Sequence, residues 1–132
     1  MPTAIVEVTA IISDEAQLGL LPPCRWVRLN SPTSPSEVAV ARRLNALGAD
    51  VVFSTMQVMG STGRRYGLIL TVHDLIYYSH PLPPADLPAP VRLLWRLYHL
   101  SFTPQRLLLN RADAIAAVSE TTKSLIADVP TF

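Results

Sequence analysis

The sequence predicts an α/β domain built on a doubly wound, mostly parallel sheet. Short apolar segments with strand character alternate along the chain with segments whose apolar residues recur at helical spacing. Apolar residues make up 49% of the chain and charged residues only 16%, which excludes a disordered protein. The segment from Leu68 to Val72 is apolar throughout, as expected for a strand covered on both faces. At 132 residues, the chain can form one domain with a substantial core and is too short for two.

In the first half of the chain we predict three strands and one helix. The strands cover residues 5–12, 25–29 and 51–54, where apolar and β-branched residues predominate. Residues 13–24 form a loop or a short helical turn. Ser36 can cap the helix that follows. The apolar face of this helix and the glycine that ends it are Val38, Ala41, Leu44, Leu47 and Gly48.

In the second half, the strand 68–72 is followed by a long proline-rich loop over residues 75–90. A further apolar strand is expected from Ala114 to Val118. Ser119 caps the last helix, which is expected to end near Asp128.

Between this loop and the last strand, a helix is predicted over about 89–102, and a second helical piece or a kink begins at Thr103. Residues at helical spacing are Val91, Leu94, Trp95, Tyr98 and Phe102, and basic residues nearby are Arg92, Arg96, His99, Arg106 and Arg111. Two interpretations stay open. A basic helix with aromatic residues can make peripheral membrane contact through 91–111. The same apolar stripe is also what any helix packed on a sheet shows, with its arginines facing water.

Charge and cysteine content argue against several classes of protein. A net charge of +1 disfavours a nucleic-acid-binding protein, which usually has a strong basic excess. Cys24 is the only cysteine, so no intrachain disulfide can form and a reducing compartment is expected. We expect its side chain to be buried or half-buried.

No apolar run approaches the ~20 residues that a membrane span requires. His80 and His99 stand at no standard metal-ligand spacing from His73, so we predict no metal site.

Ligands of doubly wound sheets bind outside the carboxyl ends of the strands. This rule directs attention to three places: the polar loop after Ser54, the pair His73 and Asp74, and Ser119.

Three segments carry a resemblance to a known family. The first is Gly-Ala-Asp-Val-Val-Phe-Ser at 48–54, and the second is Leu-Thr-Val-His-Asp-Leu-Ile at 70–76, with His80 and Pro81 beyond it. The third is Arg-Ala-Asp-Ala-Ile-Ala-Ala-Val-Ser-Glu-Thr-Thr-Lys at 111–123. In this order and spacing, the set resembles the family 4 glycosyltransferases, which have the GT-B fold, over roughly residues 38–127.

The resemblance implies that residues 1–132 form a single, partial Rossmann-like domain, the incomplete N-terminal, acceptor-side half of a GT-B fold. The chain departs from the family pattern because it has no Gly-Gly pair in a first loop. Residues 5–12 are therefore similar to the second strand of the family. The C-terminal, donor-binding domain is expected to be absent.

The implied reaction is transfer of a hexose from a nucleotide sugar to a hydroxyl acceptor with retention of configuration. The nucleotide sugar would be a co-substrate, and no cofactor or metal is implied. We expect the chain alone to be inactive, and we expect it in the cytoplasm or at the inner face of the membrane. One alternative is a non-catalytic accessory subunit that keeps the fold and binds a partner chain. Another is an unrelated Rossmann-like binding module, which is weakened because the chain contains no Gly-x-Gly-x-x-Gly.

His73 and Asp74 are the candidate catalytic residues. The resemblance implies that His73 lies close to the transferred sugar and donates a hydrogen bond to it, a task that suits imidazole near neutral pH. The alternative is a histidine that simply ends a strand. Asp74 could orient His73 or cap the next turn, and a nucleophilic role would need a second, suitably placed carboxyl group.

The candidate substrate-binding residues are Ser61, Thr62, Arg64, Arg65 and Ser119. The arginines could hold an anionic or polyhydroxylated acceptor, since guanidinium groups offer paired donors, or they could belong to a solvated turn. Ser119 is first a helix cap, and the resemblance also places it near the interdomain cleft. Thr122 stands where a capping box would need Glu or Gln, so we expect this cap to be partial.

Overall fold

A computed structural model of the chain describes residues 5–32, 34–80 and 82–128, with Tyr77 and Ser79 described by their backbone alone. The chain divides into two compact units. The first unit comprises Met1–Leu47 and Gly60–Arg64, and the second comprises Gly48–Met59 and Arg65–Phe132.

The first unit contains a two-stranded parallel sheet, β1 (Thr9–Ile12) and β2 (Arg25–Arg28). Between these strands lies a 3₁₀ helix, Glu15–Leu20, capped by Asp14. A second 3₁₀ helix, Pro35–Ala39, leads into α1, Val40–Ala46. The buried apolar residues of the unit are Ile12, Leu29, Val40, Ala41 and Leu44.

Three expectations for this first part of the chain need correction. The first strand begins at Thr9 rather than at residue 5, and residues 5–8 are exposed. Ser34 rather than Ser36 caps the helical segment, because its extended backbone lets its hydroxyl accept from the Ser36 amide. Of the four residues predicted to share the apolar face, only Ala41 and Leu44 are buried. Val38 and Leu47 are exposed, because α1 covers only Val40–Ala46 and both residues lie outside it.

The second unit is built on a three-stranded parallel sheet in the order β3 (Val51–Ser54), β4 (Gly67–Val72) and β5 (Ala114–Ala117). β4 is the central strand, and Leu68, Leu70 and Val72 are almost completely buried. The predicted buried strand is confirmed. Gly48, just before β3, has a φ of 72°, a left-handed conformation that suits glycine at the end of a helix.

In the described part of this unit, four helices accompany the sheet: α2 (Ile76–Ser79), α3 (Ala89–His99), α4 (Thr103–Leu109) and α5 (Glu120–Ala127). The second helical piece expected at Thr103 is confirmed as a separate helix with proline in its first turn. α2 lies within the segment that was predicted to be a loop. Pro81, part of the family-like second segment, lies outside the described residues.

The inward face of α3 is aromatic. His99 stacks on Trp95 with ring centroids 4.0 Å apart, and Tyr98 donates from its hydroxyl to Gln105 Oε1 over 2.6 Å. Tyr78 from α2 packs edge-on against Phe102 at 5.0 Å. Burial is the main cause that raises the pKa of both the Tyr78 and Tyr98 hydroxyls, so both groups stay protonated at neutral pH.

The apolar stripe predicted for α3 is only partly correct. Trp95, Tyr98 and Phe102 are half-buried, whereas Val91 and Leu94 are exposed. The aromatic rings pack on α2 and α4 and set the rotation of α3, which turns Leu94 toward solvent.

The α/β class and the parallel pairing of strands are confirmed, and the described strands form two sheets of two and three strands. Cys24, expected to be at least half-buried, is exposed, because it follows two prolines in the surface loop that leads into β2. Among the residues that the structure describes, none lies in a helix with the length and apolar character needed to cross a membrane.

Candidate functional site

His73 lies at the carboxyl end of β4, the central strand of the second unit. The preceding residue, Val72, is fully buried, whereas the imidazole of His73 is exposed to solvent. His73 Nε2 lies 2.7 Å from the carbonyl oxygen of Thr55. A carbonyl oxygen can only accept a hydrogen bond, so Nε2 must carry the proton. When the ring is neutral, Nδ1 is therefore the nitrogen with a free lone pair, and it can accept a hydrogen bond from a ligand.

The loop after β3 is tied to the end of β4, and this fixes the position of the Thr55 carbonyl. The buried Thr71 donates from its hydroxyl to the Ser54 carbonyl over 2.7 Å, and its amide donates to the Met56 carbonyl over 3.2 Å. Gln57 Nε2 donates to the Asp74 carbonyl over 3.3 Å. These bonds lie on both sides of Thr55 and hold its carbonyl in position. The hydrogen bond from His73 Nε2 to this carbonyl therefore orients the imidazole ring.

The start of α5 is tied to the same edge of the sheet. Ser119 accepts a hydrogen bond from the Thr122 amide over 3.1 Å, which confirms the predicted cap. Its hydroxyl also donates to Thr122 Oγ1 over 3.0 Å, and Thr122 Oγ1 donates to the His73 carbonyl over 3.1 Å. Thr122 thus does not complete a capping box. Instead, its buried hydroxyl connects the helix cap to the residue that carries the imidazole.

Replacing Thr122 by valine is expected to lower the free energy of unfolding by about 1–2 kcal/mol, because two hydrogen bonds of a buried hydroxyl are lost at nearly constant volume. Thr121→Val is the matched control, since Thr121 is the neighbouring, exposed threonine of the same helix. Urea denaturation of the two variants measures the difference. Equal stability of both variants would show that the link from Thr122 to His73 contributes nothing.

Asp74 serves the turn that follows the strand. Its Oδ1 accepts from the amide of Ile76 over 3.2 Å, at the start of α2. Of the two structural roles considered for Asp74, this bond supports the capping of the next turn. Its side chain is exposed beside His73 at the same strand end, so it can contribute negative charge to the edge of the sheet.

The four polar residues predicted in the loop after β3 are divided between the two units. Ser61, Thr62 and Arg64 belong to the first unit, where the Arg64 amide donates to the Ser61 carbonyl over 3.2 Å and closes a turn around Gly63. Gly63 has a φ of 76°, and its carbonyl accepts from Asn45. Arg65 begins the segment that enters the second unit and is exposed.

Glu37, a carboxylate that the sequence did not single out, binds the middle of this loop at Gly60. The two oxygens of Glu37 accept from the Gly60 amide over 3.1 Å and from Asn30 Nδ2 over 2.7 Å. The Glu37 backbone lies so close that a Cβ atom on Gly60 would stand 1.9 Å from its carbonyl oxygen. The sequence contains no local signal for this contact, because the two residues are 23 positions apart.

The second unit therefore brings together three of the predicted site residues, His73, Asp74 and Ser119, at the carboxyl edge of its sheet. Thr55 and Thr122 were missed as their supports. The position of Thr122, three residues after the capping serine, was a signal in the sequence that could have identified it. No sequence signal could have identified Thr55, because its contact with His73 is made by a backbone carbonyl. This edge of the sheet therefore presents an oriented imidazole, a carboxylate and a helix-capping hydroxyl. These groups can form hydrogen bonds with a polar, hydroxylated ligand.

Within residues 5–32, 34–80 and 82–128, no group of three or more His, Cys, Asp or Glu side chains is placed to hold a metal ion. In comparisons with known proteins, no family model, no curated protein and no solved structure matches this chain.

Proposed function

We propose that this chain is part of the acceptor-side domain of a retaining glycosyltransferase of family 4. In this proposal, the whole enzyme transfers a hexose from a nucleotide sugar to a hydroxyl acceptor, and the carboxyl edge of the β3–β4–β5 sheet faces the reacting sugars. The nucleotide sugar and the acceptor are the proposed ligands, and the contacts to the donor base and phosphates lie outside residues 1–132.

One observation carries this proposal. The three segments that resemble the family each enter a strand of one parallel sheet, and the strands lie side by side in the order of the segments. The residues that follow these strands, His73 and Ser119 among them, consequently lie at one edge. Ligands of α/β sheets bind outside that edge, which is where the proposal needs a polar site.

The hydrogen bond to Thr55 refines the role of His73 in this proposal. Because Nε2–H donates to the Thr55 carbonyl, the nitrogen of the neutral ring that can contact a ligand is Nδ1, through its lone pair. We therefore assign His73 the task of accepting a hydrogen bond from a sugar hydroxyl, which orients that hydroxyl. The donation to the sugar that the resemblance implies requires a protonated imidazole or a rotated ring.

The proposal also includes a specific fold for the second unit. Strands β3, β4 and β5 follow one another without a reversal of order, as one half of a doubly wound sheet would. We propose that the domain is the Rossmann-like, N-terminal half of a GT-B enzyme and that a second domain supplies the donor site.

The isolated chain of 132 residues is expected to form no product with any nucleotide sugar. Catalysis gains from proximity only when both reactants are held, and the proposal places the donor contacts elsewhere. Purified chain is incubated with a panel of labelled uridine, guanosine and adenosine diphosphate sugars together with glycan, lipid-linked and polyol acceptors. The protein encoded by the complete reading frame around this chain is assayed in parallel, and it is expected to transfer one of the sugars.

Turnover by the isolated chain would contradict the assignment of the donor site to another domain. Absence of transfer and of donor hydrolysis by the complete protein, with every donor tested, would contradict the transferase itself. In that case, a stable complex of the chain with a second protein would favour the accessory subunit.

A further inference from the structure

The side chains at the carboxyl edge of the β3–β4–β5 sheet present hydrogen-bond acceptors to a ligand. His73 offers the lone pair of Nδ1, because its Nε2–H donates to the Thr55 carbonyl. The Oδ1 atom of the exposed Asp74 accepts from the Ile76 amide, and among the described residues none donates to its Oδ2. Gln57 directs its amide nitrogen to the Asp74 carbonyl over 3.3 Å, so its Oε1 is a further acceptor beside Asp74. A ligand that pairs with these atoms must therefore bring hydrogen-bond donors.

The charge at this edge is negative. The segments that follow the three strands are 55–59, 73–75 and 118–122. They contain two carboxylates, Asp74 and Glu120, and no lysine or arginine. Lys123, the next residue along the chain, lies with its Nζ 3.8 Å from Glu120 Oε2, so these two charges largely offset each other. Asp74 supplies the charge that remains.

The nearest arginines in the sequence lie at the opposite edge of the sheet. Arg65 and Arg111 precede β4 and β5 and therefore stand at the amino ends of these strands. β4 has six residues and spans roughly 20 Å at about 3.3 Å per residue, which separates Arg65 from His73. The first turn of α5 offers backbone amides at the carboxyl edge, but Glu120 already places a carboxylate beside them. The described segments that form this edge thus provide no unpaired cation for a carboxylate or a phosphate.

We propose that this edge selects an uncharged sugar or polyol as the acceptor, and that Asp74 and Gln57 determine the selection. This selectivity rests on the proposed function, because it names the substrate class of the transferase. Hydroxyl groups supply the donors that the three side-chain acceptors require. A carboxylate or phosphate on the same ligand would bring a like charge toward Asp74 and would leave the acceptors without donors.

Kinetics of the complete protein encoded by the reading frame around this chain test the selectivity. Each glycan and polyol acceptor is offered in its uncharged form and as the matching uronate or phosphate ester, at constant ionic strength. The expected kcat/KM is about tenfold or more higher for the uncharged form, because the anion meets repulsion from Asp74 and finds no cation to offset it.

Two variants assign the preference to its residues. Asp74→Asn removes the charge and keeps an oxygen that can accept from the Ile76 amide, so the preference for the uncharged form is expected to fall about tenfold. Gln57→Lys is expected to have a similar effect, since a lysine can still donate to the Asp74 carbonyl and brings a cation to this edge. Asp128→Asn is the matched control and is expected to keep the preference, because Asp128 is an exposed carboxylate at the far end of α5.

The ratio between the two acceptor forms separates selection from a structural role, because a distorted site lowers kcat/KM for both forms alike. Equal use of the two forms, or preference for the anionic one, would overturn the proposed selectivity and leave the transferase standing. A preference that Asp74→Asn and Gln57→Lys both retain would overturn the role of these residues. Donor hydrolysis without transfer to any acceptor would overturn the selectivity alone. Absence of both transfer and hydrolysis would overturn the proposed function and the selectivity with it.

Discussion

Replacing Gly60 by alanine is expected to lower the free energy of unfolding by about 3 kcal/mol or more, which corresponds to a fall in Tm of about 10 °C for a chain of this length. A Cβ atom at this position would stand 1.9 Å from the carbonyl oxygen of Glu37 and 3.0 Å from Val40 Cγ1. The first contact is with backbone, which cannot swing aside as a long side chain can. Any shift also pulls the Gly60 amide away from the Glu37 carboxylate that accepts from it over 3.1 Å.

Gly19→Ala is the matched control for this substitution. Gly19 has no heavy atom within 4 Å of an added Cβ and no positive φ, so its replacement is expected to change stability by at most about 0.5 kcal/mol. Circular dichroism melts of the two variants give the comparison. If Gly60→Ala melts together with Gly19→Ala and the unaltered protein, the close approach of the loop to the Glu37 backbone is wrong.

Replacing His73 by alanine in the complete transferase proposed above is expected to lower kcat by about 100-fold, the usual loss when one preorganised hydrogen-bonding group is removed from a reacting centre. Stability is expected to fall by only about 1 kcal/mol, because the imidazole is exposed and its bond to Thr55 is a single neutral hydrogen bond. Steady-state kinetics and urea denaturation measure the two effects separately.

A second variant separates the chemical role of His73 from its structural one. Glutamine can donate from its amide nitrogen to the Thr55 carbonyl, but it has no lone pair where Nδ1 stands. His73→Gln is therefore expected to keep the stability of the unaltered protein and still lose most of the activity. His80→Ala is the control, since His80 is an exposed histidine seven residues further along the chain.

Nitrogen NMR of histidine-labelled chain checks the premise of this argument without any activity. The neutral ring of His73 is expected to be protonated at Nε2 and unprotonated at Nδ1, with its signals identified by their loss in His73→Gln. A ring protonated at Nδ1 would contradict the role assigned to His73, and so would full activity of His73→Ala.

Local patterns predicted most of the second unit. The apolar run from Leu68 to Val72 becomes the central buried strand, Ser119 caps the last helix, and Thr103 begins a separate helix. These features depend on hydrophobic spacing, capping hydroxyls and proline position, all of which act within a few residues. Predictions were less successful where a helix began later than its apolar pattern indicated, as at Val38, or where long-range packing rotated a helix, as at Leu94.

The candidate site shows the same division. The sequence alone placed His73, Asp74 and Ser119 at strand ends, because parallel strands of an α/β sheet end at one edge. It could not show that Thr55 fixes the imidazole tautomer, since that bond joins a side chain to a carbonyl 18 residues away. It also could not show that Thr122 donates to the His73 carbonyl across 49 residues, or that Gly60 lies against Glu37. Such contacts arise only when separate elements pack together, so their partners are decided by tertiary structure and not by neighbours in the chain.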